Sequence, residues 1–150
     1  MTGSVIFVGA GPGAPDLITL RGASAIGRAD IIIWAASLVH PGILEHARPE
    51  AEIVDSSQLP MEGVLPLYER AARDALTVAR VHSGDPALWG AVGEQNAECD
   101  RLGLAVALTP GVPSCPALAP TAPHPLTAPH IPQPGLPPRP RACKPPPTAS

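Results

Sequence analysis

The chain has 150 residues and a formal net charge of −3, but its charge and proline content are divided unevenly. Residues 1–110 hold all 13 acidic residues and seven of the ten basic ones, whereas residues 111–150 hold no acidic residue. Fifteen of the 22 prolines lie at or after position 110. Dense proline forbids helices and interrupts strand ladders, so we predict a folded domain at 1–112 and a disordered, proline-rich tail at 113–150.

This composition excludes several classes of function. The acidic first segment lacks the basic stripe that binds phosphates, so we expect no nucleic acid partner. The longest apolar run, residues 31–36, is too short to cross a membrane, and the N-terminus lacks the basic residues of a secretory signal. Cys99, Cys115 and Cys143 lack the spacing of metal ligands, so we expect free thiols in a reducing cytoplasm and no metal site.

Short β-branched runs alternate with amphipathic ones in the first segment. In chain order we predict strands at 4–9, 31–34, 51–54, 77–82 and 104–108. This alternation predicts an α/β fold with one five-stranded, mainly parallel sheet flanked by helices. Ligands of such sheets bind beyond the carboxyl ends of the strands, where residues 9–14, 83–86 and 110–111 fall. We therefore expect the functional site at these three loops.

Helices are predicted between the strands. A short one at 41–47 is opened by proline, and the helix at 61–75 is expected to start late, so that Pro66 lies in its first turn. Asp85 and Pro86 are expected to open the last helix and Gly103 to end it. The buried faces predicted for the three longer helices are Leu17, Leu20, Ala23 and Ile26; Val64, Tyr68, Ala71 and Ala75; and Leu88, Val92, Gln95 and Cys99.

The glycine-rich residues 9–14 (GAGPGA) match the pattern of a dinucleotide-binding turn. However, Pro12 and Pro15 keep the backbone from continuing as a helix, and the second strand ends in Trp34, not in an acid that would bind a ribose. A tight turn without a ligand is therefore the first interpretation, another ligand the second and NAD the third. Asp85, likewise, is expected either to cap a helix or to bind a ribose hydroxyl or an ammonium group.

Taken together, four motifs resemble the tetrapyrrole methyltransferase family. They are VGAGPG at 8–13, PDLIT at 15–19, HSGDP at 82–86 and PGV at 110–112. The resemblance covers about residues 4–114 and corresponds to the N-terminal domain of the family fold. Residues 36–41 and 84–95 are most similar to the branch that methylates C-11 of precorrin-4.

The resemblance implies an enzyme that uses S-adenosylmethionine to methylate a corrin precursor, precorrin-4 or its cobalt form. Because the donor is already activated by its positive sulfur, the protein must align the reacting atoms and exclude water. It also implies a homodimer at full length, and it assigns no catalytic residue. The positions that match the family's donor-binding residues are Pro12, Ser83, Gly84, Asp85, Leu88, Pro113 and Ser114.

Three features depart from the family pattern. Ala14 stands where the family usually has an aspartate, and Pro113 replaces a small, usually hydroxyl-bearing residue. The family's second α/β domain is not recognisable after residue 112, and we interpret the tail as translation in a shifted reading frame. We therefore predict a methyltransferase that is inactive as this chain. The alternatives are a donor-binding fragment without catalysis and an NAD-binding Rossmann domain.

Overall fold

The protein forms a single parallel sheet covered by helices on both faces. The computed structural model describes residues 2–89 and 92–113, so Ser114 and the rest of the predicted tail lie outside the described residues. The strands are β1 (Ser4–Gly9), β2 (Ile31–Trp34), β3 (Glu52–Asp55), β4 (Thr77–His82) and β5 (Ala105–Thr109). Their order across the sheet is β3-β2-β4-β1-β5, and all four neighbouring pairs are parallel. The predicted α/β class and five-stranded sheet are confirmed.

The sheet has an apolar cluster on each face because successive strand residues point to opposite sides. The helices are α1 (Leu20–Arg28), α2 (Met61–Asp74), α3 (Pro86–Trp89) and α4 (Val92–Arg101), with short 3-10 helices at Pro15–Leu17 and Pro41–His46. The first cluster joins Val8, Ile32, Trp34 and Val81 to Ala25 and Ile26 of α1. The second joins Val5, Phe7, Ile31, Ile33 and Val78 to Val64, Tyr68 and Ala71 of α2 and Cys99 of α4.

The buried face predicted for the first helix is correct at Ile26 and wrong at Leu17 and Leu20. Leu20 is 92% exposed and Leu17 is 41% exposed, whereas α1 buries Gly22, Ala25 and Ile26. Thr19 caps the helix, because its Oγ1 accepts a hydrogen bond from Gly22 N at 3.0 Å, and this fixes the start at Leu20. Leu17 therefore belongs to the preceding 3-10 turn, which breaks the helical period that the sequence suggested.

Helix α2 does not start late, as Pro66 led us to expect. It begins at Met61 and includes Pro66 in its interior. Because proline has no N–H, it leaves the carbonyl of Glu62 without its helical bond, a cost that is accepted when tertiary packing outweighs it. The predicted face of Val64, Tyr68 and Ala71 is fully buried and supplies that packing, while Ala75 forms the left-handed C-cap.

The predicted helix after Asp85 is described as two, α3 and α4, on either side of positions 90 and 91. Leu88 is 42% exposed, so it does not share the buried face that Gln95 and Cys99 form on α4. The predicted end at Gly103 is confirmed, since this residue has a φ of +70° and directly follows the last helical turn. Within the described residues, no helix is both long enough and apolar enough to cross a bilayer.

Candidate functional site

The loops after β1 and β4 are joined by their backbones at the carboxyl edge of the sheet. Gly84 N donates to Gly11 O at 2.7 Å, and Gly11 N donates to Gly84 O at 3.2 Å. Next to this pair, Ala10 N donates to His82 O at 2.8 Å. Gly84 has a φ of +62°, a conformation that side chains disfavour, so glycine is needed here. Two of the loops predicted to form the site are therefore held directly against each other.

The third loop, after β5, approaches so closely that only glycine fits. A Cβ added at Gly111 would lie 2.1 Å from the carbonyl oxygen of Gly84, and one added at Gly9 would lie 2.5 Å from Gly111 N. Both obstacles are backbone atoms, which cannot move aside as a side chain could. We call Gly9, Gly11, Gly84 and Gly111 the glycine junction. It packs the three loops together without any side chain between them.

Asp85 follows the glycine junction and has one carboxylate oxygen engaged. Its Oδ1 accepts a hydrogen bond from Ala87 N at 3.0 Å, which confirms the predicted capping role at the start of α3. Its Oδ2 makes no hydrogen bond within the described part of the chain. Asp85 can therefore cap the helix and, at the same time, accept a hydrogen bond from a ligand hydroxyl or ammonium group.

Of the other predicted donor-binding residues, Pro12, Ser83 and Pro113 lie on the same three loops and Leu88 lies on the helix that follows the second. Pro12 is half-buried between the glycines of the first loop, Ser83 is exposed beside Gly84, and Pro113 is half-buried after Gly111. Leu88 lies on α3 with 42% of its surface exposed. The structure brings these six residues to one edge of the sheet, and Ser114 lies outside the described residues. Their contact with a donor stays a prediction.

Ala14 shows the consequence of one departure from the family pattern. It occupies the N-cap position of the 3-10 helix Pro15–Leu17, and no side chain caps that helix. An aspartate at this position could accept a hydrogen bond from the first turn, which alanine cannot do. The motif is still tied to the third loop, because Thr19 Oγ1 donates to Pro110 O at 3.5 Å.

Sequence reasoning did not single out Asp55, which orders the loop after β2. Asp55 Oδ1 accepts hydrogen bonds from Ala36 N at 3.1 Å, Ser57 N at 2.9 Å and Ser57 Oγ at 2.6 Å. The hydrogen bond from Ser57, followed by those from the backbone, lowers the pKa of Asp55. The only sequence signal was an acid after an apolar strand, which does not reveal a partner 19 residues away.

A buried polar network was also missed, although it involves two residues that were predicted to be buried, Tyr68 and Gln95. Tyr68 OH donates to Gln95 Oε1 at 2.8 Å, and Arg80 Nε donates to the same oxygen at 3.1 Å. Arg80 Nη1 donates to Ser56 Oγ at 2.7 Å. We call Ser56, Tyr68, Arg80 and Gln95 the Arg80 network. Burial raises the pKa of Tyr68 and lowers the pKa of Arg80.

His82 lies between the Arg80 network and the glycine junction. Burial, and secondly the charge of Arg80, lower its pKa to about 4, so the ring is neutral at neutral pH. Its ring packs against Phe7 with centroids 6.0 Å apart. Its Nε2 is buried and finds no hydrogen-bond partner among the residues that the structure describes. Among the described residues, no group of three or more His, Cys, Asp or Glu side chains is placed to hold a metal ion.

The fold and the three loops define a family, and comparison with known proteins identifies it. The profile of the tetrapyrrole (corrin/porphyrin) methylases matches residues 4–142, so the chain belongs to this family. The matched range runs past residue 112 into the segment that composition sets apart. The predicted domain boundary therefore stays a prediction.

Among individual proteins, the chain is 43% identical over 130 residues to a precorrin-4 C(11)-methyltransferase of a Sinorhizobium species, with 87% of this chain and 51% of the relative covered. It superposes on the crystal structure of a cobalt precorrin-4 methyltransferase with a TM-score of 0.79 and 36% identity, covering 87% of this chain and 54% of that one. It also matches the Thermus thermophilus uroporphyrin-III C-methyl transferase complexed with S-adenyl homocysteine, with a TM-score of 0.68, 35% identity and coverages of 85% and 51%.

The comparisons bear on both the size and the chemistry of the chain. It spans about half the length of the curated relatives it matches. The family is one of methyltransferases, and one structural neighbour was solved with the demethylated form of S-adenosylmethionine, which implies use of this donor. The NAD-binding alternative is not favoured.

Proposed function

We propose that this chain forms the donor-binding half of an S-adenosylmethionine-dependent methyltransferase of cobalamin synthesis, which methylates C-11 of precorrin-4 or of its cobalt form. The similarity to a precorrin-4 enzyme and to a cobalt precorrin-4 enzyme supports this substrate class. By the same resemblance, the full-length protein is proposed to act as a cytoplasmic homodimer.

The observation that carries the proposal is the glycine junction with Asp85 beside it. Because the three loops are held against one another through backbone atoms alone, Asp85, which follows Gly84, is fixed where these loops meet. Oδ2 of Asp85 then offers a negative partner for a ribose hydroxyl or for the ammonium group of methionine. Pro12, Ser83, Leu88, Pro113 and Ser114 are proposed to complete the donor site.

The proposed methyl transfer requires the protein mainly to bind the donor and to align it with the acceptor carbon. S-adenosylmethionine supplies a methyl group on a positively charged sulfur, which leaves as a neutral thioether. The residues of this chain orient the donor and shield it from water, and the second half of the cleft holds the acceptor carbon in line.

Calorimetric titration of the 150-residue chain with S-adenosylmethionine, S-adenosylhomocysteine and NAD tests the proposal. We expect saturable binding of the two sulfur compounds and none of NAD. Binding of NAD in preference to S-adenosylmethionine would establish the dinucleotide alternative instead. Absence of binding by all three would refute a donor-binding role for the chain. Titration with precorrin-4 and its cobalt form in the presence of S-adenosylhomocysteine then compares the two substrates.

A further inference from the structure

The Arg80 network places a guanidinium group in an unusual environment. Its neighbours are almost fully buried, with Tyr68 0%, Gln95 4% and Ser56 8% exposed. Arg80 takes part in none of the ion pairs that the described residues form. Arg80 itself is half-buried. Charges that are removed from water are normally paired with an opposite charge, because that removal is costly. Arg80 is held instead by neutral oxygens.

Stability alone gives no reason to keep such a group. Apolar residues of similar volume that replace buried charges often leave the stability of a protein unchanged or raise it. Arginine does provide a planar fork of donors that fixes two partners at a set separation, which no apolar side chain can do. The role of Arg80 is therefore inferred from the residues to which it donates hydrogen bonds.

One end of the network reaches the loops after β2 and β3. Ser56 N and Ser56 Oγ both donate to Trp34 O, at 2.7 and 3.1 Å, so Ser56 ties the end of β3 to the end of β2. Ser56 directly follows Asp55, whose carboxylate holds the amide of Ala36. Arg80 Nη1 donates to Ser56 Oγ. Through Ser56 it helps to hold in place the loop that begins at Ala35.

The other end reaches the helix that follows the proposed donor loop. Gln95 lies in the first half of α4, and its Oε1 accepts hydrogen bonds from both Arg80 and Tyr68 of α2. Along the chain, α4 follows Asp85 and α3. One guanidinium group therefore bonds both to Ser56, after β3, and to Gln95 of α4. We call the loops after β2 and β3 the first wall of the site, and α4 the second.

We propose that Arg80 is a positioning residue that sets the separation between the loops after β2 and β3 and the helix behind the donor loop. This proposal rests on the proposed function, which identifies the ligand between these loops and α4 as S-adenosylmethionine. Arg80 itself is not proposed to touch the donor, because its bonded nitrogens are directed to Ser56 and Gln95.

The test compares Arg80→Met with Arg70→Met, a matched substitution. Arg70 lies on α2 and pairs with Glu52 of β3, away from the proposed donor loop. Hydrogen exchange is followed at the bonded amides of Ala36, Ser37 and Ser56 and at residues 83–88, together with affinity for S-adenosylhomocysteine and melting temperature. In Arg80→Met we expect exchange at these loops to rise and donor affinity to fall, each by about tenfold or more. Arg70→Met should leave both unchanged.

Two milder variants keep the proposal testable if Arg80→Met does not fold. Ser56→Ala removes the bond from Arg80 together with the bond that Ser56 Oγ donates to Trp34 O, and it should accelerate exchange at Ala36 and Ser37 without affecting α4. Arg80→Lys keeps the positive charge but loses the planar guanidinium group that reaches two partners. We therefore expect faster exchange either in the loops after β2 and β3 or at residues 83–88, but not in both. Unchanged loop exchange in both variants, or an equal rise in Arg70→Met, would overturn the proposal. If the wild-type chain binds no donor but the Arg80 variants still show faster hydrogen exchange in the loops, the proposed function is refuted and the positioning role of Arg80 is not.

Discussion

Asp85 combines a structural and a proposed binding role through its two carboxylate oxygens. Oδ1 caps α3, and Oδ2 is the oxygen available to a ligand. In Asp85→Asn, the side-chain oxygen still caps the helix, because asparagine caps about as well as aspartate. The negative charge is lost, so we expect donor affinity to fall by roughly 10- to 100-fold, with little change in melting temperature. Calorimetry and thermal unfolding measure the two quantities.

Asp100→Asn is the control for this substitution. Asp100 is an exposed residue near the end of α4 and lies on none of the three loops, so its replacement should leave donor affinity unchanged. Equal affinity in Asp85→Asn and wild type would reduce Asp85 to a helix cap.

At the level of single residues, sequence reasoning found local partners and missed distant ones. The cap of Asp85 on Ala87 spans two positions and follows from residue type. The bond between Arg80 and Ser56 spans 24 positions, and that between Tyr68 and Gln95 spans 27. Such pairs depend on which strands become neighbours, and the order of parallel strands is not encoded in any local pattern.

At the level of loops and helices, the glycine junction can be tested by adding one methyl group. The Cβ of Gly111→Ala would lie 2.1 Å from Gly84 O, so the third loop must move away from the first two. Because misplacing a binding group by about 1 Å is costly, we expect donor affinity to fall by at least about tenfold. The far-ultraviolet circular dichroism should stay close to that of the wild type, since β5 precedes the junction.

Gly93→Ala is the matched control, because this glycine lies in α4 with no atom within 4 Å of the added Cβ. Alanine favours a helix by roughly 0.5–1 kcal/mol over glycine, so this variant should melt slightly higher and bind the donor normally. Normal binding by Gly111→Ala would show that the third loop is not part of the donor site.

The elements themselves were predictable where one physical signal dominated. All five strands were found within one residue of their observed ends, because runs of β-branched residues bounded by turn residues have few alternatives. The start of α1 was missed because the cap of Thr19 outweighed the apolar period that includes Leu17 and Leu20. The start of α2 was missed because the packing of Val64 and Tyr68 outweighed the cost of Pro66.

At the level of the whole molecule, the chain spans about half the length of its curated relatives. In the proposed function, a polypeptide of these 150 residues alone holds the donor but not the part of the cleft that positions the tetrapyrrole. We therefore expect no measurable transfer of labelled methyl from S-adenosylmethionine to precorrin-4 by the 150-residue chain, even where donor binding is intact. Turnover by the purified chain would refute this prediction.

The proposed shift in reading frame has its own test. We expect the DNA beyond the codon for Val112, translated in the other two frames, to encode a second α/β domain. A protein in which that frame is restored should transfer the methyl group. DNA that encodes no such domain in any frame would overturn this interpretation of the segment 113–150.

The strand order also governs how the chain folds during synthesis. β1 lies between β4 and β5, and its first residue, Ser4, pairs with Thr77, which is 73 positions later. At a synthesis rate of about 5–20 residues per second, β1 waits roughly 4–15 s for its first partner strand to be made. During this interval Val5, Phe7 and Val8, which are fully buried in the finished sheet, have no strand beside them. The strand made first therefore enters the sheet late, and until then its apolar side chains are open to chaperones and to other nascent chains.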